Sequence, residues 1–122
     1  MLSTYKSSVL EKKREYGKIN LYESSDYLLS IHIPTFFEIS DDSKYDVLLT
    51  MDRQELIISD KTYCARAYII SFKHDDHLLT LSFGGLIGRF KVGNNMSIEI
   101  LKQIVTESVD TPIYIQISES VG

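Results

Sequence analysis

The side chains with the clearest claim to chemistry form one short run, His74-Asp75-Asp76-His77, in which two imidazoles flank two carboxylates. Zinc and similar ions take such ligands, but a closed site needs three or four of them converging. No second cluster at ligand spacing stands elsewhere, and the run falls between two apolar segments, where polar residues serve turn geometry. A hairpin tip is therefore expected there, with no metal and no cofactor. The third histidine, His32, lies in an apolar run over residues 27–33 and reads as a structural residue.

A nucleophile would need Cys64 or a serine beside a histidine base. Cys64 follows Tyr63 at the start of an apolar run and reads as a core thiol. No serine occupies a strand-to-helix elbow, and no carboxylate pair is flanked so as to split its pKa values. The run Gly84-Gly85-Leu86-Ile87-Gly88-Arg89 has the glycines of a phosphate-cradling loop, but such loops deliver phosphate to a helix N-terminus, and here a strand follows. A tight turn at Gly84-Gly85 and a bulge or close packing at Gly88 account for these glycines. The residues thus point away from an enzyme.

Charge is distributed unevenly. Residues 1–18 hold five basic and two acidic side chains, a balance of +3, whereas the remainder holds eight basic and fifteen acidic ones, a balance of −7. The acidic body repels phosphate backbones, so nucleic acid is not an expected partner. The cluster Lys12-Lys13-Arg14, flanked by Glu11 and Glu15, reads as a solvated face. Eight tyrosines without a tryptophan offer amphipathic contact area of the kind found in protein interfaces.

The elements that must position these groups follow from periodicity. A short, frayed helix is expected over residues 3–16, ended by Gly17. Strand chemistry then takes over. Residues 19–23 and 27–33 read as a hairpin ending at Pro34, with Phe36, Phe37 and Ile39 resuming the strand, and 45–51 with 54–58 as a second hairpin. Residues 65–72, 78–83 and 86–92 form a meander. From Met96 to Val109 apolar residues recur at spacings of four, which predicts an amphipathic helix, and residues 113–117 alternate as a closing strand. The expected fold is mainly β, of the α+β class. It is an antiparallel curled sheet or two-layer sandwich of about eight strands, with a C-terminal helix over one face or end. Residues 1–122 read as a single domain, with a basic polar segment over 1–18 and an acidic β-rich body over 19–122. One cysteine and the lack of any apolar run near the ~20 residues of a membrane span place it in the cytoplasm, away from membranes.

In size, acidity and β-rich format the chain resembles the immunity proteins of bacterial toxin systems, particularly those of contact-dependent growth inhibition. The resemblance implies a cytoplasmic antitoxin that binds a basic toxin domain, often a nuclease, and occludes its active site. Acidic loops Asp41-Asp42 and Asp75-Asp76, together with Tyr45, Asp46 and Asp52, are the candidate partner contacts. The alternative is a ligand-binding or catalytic β-domain with its pocket between the sheet and the C-terminal helix. A structural or assembly subunit is a third reading.

Overall fold

A computed structural model describes residues 3–73, 75–92 and 113–120. Nine strands form one antiparallel sheet: β1 (Ser3–Ser8), β2 (Leu10–Glu15), β3 (Ile19–Ser24), β4 (Leu29–Pro34), β5 (Tyr45–Thr50), β6 (Thr62–Lys73), β7 (Leu78–Phe83), β8 (Leu86–Lys91) and β9 (Ile113–Glu119). The order across the sheet is β1-β5-β9-β6-β7-β8-β4-β3-β2. Its two edges, β1 and β2, are separated in sequence by the single residue Val9, so the chain itself carries one edge round to the other. The sheet therefore curls into a nearly closed barrel.

The sheet turns at two corners. The first half of β6 pairs with β9, from Thr62 opposite Ser118 to Ala67 opposite Ile113, and its second half pairs with β7. At the other corner β1 pairs with β5 and β2 with β3, with Ser7, near the end of β1, at positive φ where the ladder with β5 shifts register. That bend is pinned by the Ser25 N–H donating to the Val9 carbonyl and the Ser7 N–H donating to Asp46 Oδ1. The β7–β8 turn places Gly84 and Gly85 both at positive φ, as a two-residue hairpin turn requires.

Alternate residues of the strands fill the interior. Val47 and Leu49 of β5, Ile113, Ile115 and Ile117 of β9, Leu79 and Leu81 of β7, Ile31 and Ile33 of β4 and Phe90 of β8 are all fully buried. Each such side chain contributes about 1.5–3 kcal/mol by leaving water, and a ring of this strand number is narrow enough for side chains to fill.

This architecture corrects the α+β expectation. Every element among the described residues is a strand apart from one 3-10 turn, Arg53–Glu55, and the strands form a single barrel-like sheet of nine in place of a curled sheet or sandwich of about eight with a helix over it. The N-terminal helix is replaced by β1 and β2, because Tyr5, Ser8 and Leu10 are buried in the barrel while residues 11–15 lie exposed on an edge strand. The second hairpin is also absent: β5 pairs with β1 and β9, and the residues after it enter the 3-10 turn. The helix expected over residues 96–109 lies outside the described residues, and no helix belongs to the fold they form.

Candidate functional site

A cleft of about 720 Å³ opens where the loop after β4 faces the segment leading into β6. Its first wall exists because Pro34 ends β4. The Pro34 carbonyl accepts from the Phe37 N–H at 3.1 Å, and the Thr35 N–H donates to Lys18 at 2.9 Å. This turn holds Phe36 out in solvent, 79% exposed. The rings of Phe36 and Phe37 lie 6.1 and 5.7 Å from the ring of Tyr63, within the range of aromatic pairing. Tyr63 is half-buried, and that burial pushes its phenol pKa up.

The second wall is Ile57, 66% exposed. Its backbone is fixed from both sides. The N–H donates to Gln116 Oε1 at 2.5 Å, and the carbonyl accepts from Thr62 Oγ1 at 2.8 Å. Gln116, only 7% exposed, rises from β9 beneath it. Leaving a large apolar side chain in water costs free energy, so a rigid backbone that displays one suits a contact surface better than a frayed loop does.

The rim is charged. Glu38, Asp60 and Glu119 are exposed around the cleft and Lys61 is its cation, so three negative charges against one positive leave −2. Glu119 is oriented by the Ser43 hydroxyl, which donates to its Oε1 at 2.9 Å. Two apolar walls with a net negative rim can recognise apolar side chains beside a cation.

The acidic residues named from sequence do not form one face. Asp41 and Asp42 lie exposed in the β4–β5 loop that also supplies the first wall. Tyr45 is a core residue, 3% exposed, whose hydroxyl accepts from the Ser40 N–H at the base of the cleft. Asp46 accepts from the Ser7 N–H and the Ser120 hydroxyl, and Asp52 caps the 3-10 turn through the Gln54 N–H. Asp75 and Asp76 are exposed at the far end of β6. That strand begins at Thr62 in the cleft and runs twelve residues, roughly 35 Å of chain. These candidate contacts are thus divided between separate ends of the barrel. Between described side chains, the ion pairs are Lys12–Glu15 and Lys13–Glu11 on β2.

Other candidates take structural roles. The Ile87 N–H donates to His32 Nδ1 at 3.1 Å, and the Tyr16 ring meets the imidazole edge-on. The Cys64 thiol, whose pKa is raised by burial, sits 3.9 Å from both the Ile57 carbonyl and Gln116 Oε1. A Cβ at Gly88 would lie 2.7 Å from the Phe90 ring, so close packing explains that glycine. His77 occupies a positive-φ turn position, while His74 lies outside the described residues. Among the described residues no three His, Cys, Asp or Glu side chains converge as a metal site would require, and no helix is long and apolar enough to cross a membrane.

Sequence reasoning missed Phe36, Phe37 and Ile57 as a group. The available signal was Pro34, which stops the ladder and leaves two phenylalanines with no strand to join. No protein-family model matches this chain, and no curated protein matches it.

Proposed function

We propose that this chain is a non-catalytic protein-binding domain that seats part of a partner protein in the cleft between Phe36 and Ile57. The observation that carries the reading is the display of these two large apolar side chains, 79% and 66% exposed, on hydrogen-bonded backbone facing a common trough. Aromatic and aliphatic anchors of this kind dominate binding energy when a partner covers them. A ligand carrier is less well supported, since the interior is occupied by the side chains of all the inward-facing strands.

Within that class, the finer reading is a cytoplasmic antitoxin or immunity protein whose partner is a basic toxin domain. Its support is the resemblance in format together with the acidic rim, because a catalytic cleft built to attract phosphate is positively charged. Capture from the native cytoplasm tests the proposal. Immobilised wild-type chain retains a specific protein that the Phe36→Ser, Ile57→Ser double variant does not. Retention of the same proteins by both would refute the cleft as the docking site.

A further inference from the structure

We infer that the cleft takes an extended segment of the partner in which a single arginine or lysine stands between apolar side chains. The inference rests on the protein-binding reading above and names the chemistry of what is bound. Three features of the cleft select that occupant.

The first is the pairing of apolar walls with a charged rim. Phe36 and Ile57 offer contacts for two apolar side chains, while Glu38, Asp60 and Glu119 surround them with a net charge of −2 after Lys61 is counted. An all-apolar occupant would leave those carboxylates beside a low-dielectric surface without a counter-charge, and an anionic one would be repelled. A central cation flanked by apolar groups satisfies both.

The second is pre-organisation. Glu119 is already turned by the Ser43 hydroxyl, and Ile57 is fixed by Gln116 and Thr62, so little side-chain or loop ordering remains to oppose binding. The third is size. A cleft of about 720 Å³ falls within the roughly 300–1,000 Å³ of sites that engulf small ligands, which suits a few side chains of an extended strand. Arginine fits the carboxylate rim best, because its planar fork bonds carboxylates in two places and its face stacks on aromatic rings.

The test titrates the full chain with blocked synthetic pentapeptides while backbone amide shifts are followed by NMR. The peptides are Gly-Leu-Arg-Leu-Gly, its Gln and Glu counterparts at the centre, and a Gly-Ser-Arg-Ser-Gly control. The arginine–leucine peptide is expected to move the amides of Ile57, Ser118 and Glu119. Its binding should weaken about tenfold when glutamine replaces arginine, and by a similar factor for the Asp60→Asn, Glu119→Gln variant, as the loss of two or three exposed charge pairs predicts. Equal binding of the glutamine and arginine peptides would overturn the cationic requirement and leave the cleft as an apolar docking site. Shifts confined to other surfaces, or none with any peptide, would overturn the inference altogether. The capture experiment, which uses whole proteins, decides the broader reading separately.

Discussion

The amide oxygen of Gln116, buried in β9, accepts the backbone N–H of exposed Ile57 at 2.5 Å, so a core residue holds a surface residue in place. Gln116→Leu keeps the volume but abandons that N–H. A stability loss of about 1–2 kcal/mol is expected, measured by urea unfolding, and the Ile57 amide should exchange with solvent markedly faster. Unchanged exchange at Ile57 would show that the bond does not fix the segment.

Phe36 and Ile57 contrast with the interior. Alanine at Ile57 should alter folding stability by no more than about 0.5 kcal/mol, and at Phe36 by about 0.5–1.5 kcal/mol through its ring contact with Tyr63, while either change weakens partner binding tenfold or more. Ile115→Ala, at a fully buried position of β9, should cost about 2–5 kcal/mol with binding per folded molecule unchanged. Calorimetry on the three variants separates the two classes of residue.

Tyr5 links the barrel to alkaline pH. Its hydroxyl donates to the Lys91 carbonyl at 2.7 Å, and burial, aided by the Asp26 carboxylate, pushes its pKa up to about 12. The unfolded chain loses that proton near pH ~10. The stabilisation is therefore complete below about pH 10 and falls away as pH rises through about 12. Tyr5→Phe should remove up to about 1.4 kcal/mol per pH unit from the slope of stability in that window. At neutral pH it should cost about 1 kcal/mol for the lost hydrogen bond. Unfolding curves at pH 9, 10 and 11 supply the comparison, and identical slopes would contradict the assignment.

Gly88 is coupled to Phe90, whose ring carbons would lie 2.7 and 2.9 Å from an added Cβ. Gly88→Ala should destabilise by about 1–3 kcal/mol, and combining it with Phe90→Leu should cost less than the two single changes summed. Strict additivity in a urea series would argue against the contact.

The strands from Ile19 onward were legible because fully buried residues alternate with half-buried ones, most clearly in Leu29–Pro34 and Leu78–Phe83. The edge strand Leu10–Glu15 was not. Its last five residues are all exposed, so no period of two is written into them, and Lys and Glu in succession imitate a solvated helix. Its identity as a strand comes from pairing with β3, a relation between separate parts of the chain. Tyr45 was legible in principle, since it shares the inward face of β5 with Val47 and Leu49, but composition alone marked it as an interface tyrosine. The cleft was the hardest feature to read. It joins residues from the β4–β5 loop, the segment before β6 and the end of β9, and pairings between distant parts of the chain, Glu119 opposite Tyr45 and Ser118 opposite Thr62, bring them together.

Site-specific photo-crosslinking in the native cell, with a benzophenone amino acid placed at position 36 in one variant and at position 75 in another, asks whether a partner seats against Phe36. Position 36 should yield a discrete adduct with a partner protein, and position 75, at the other end of β6, should yield none. An adduct from position 75 alone, or no adduct from position 36, would rule out the cleft as the docking site.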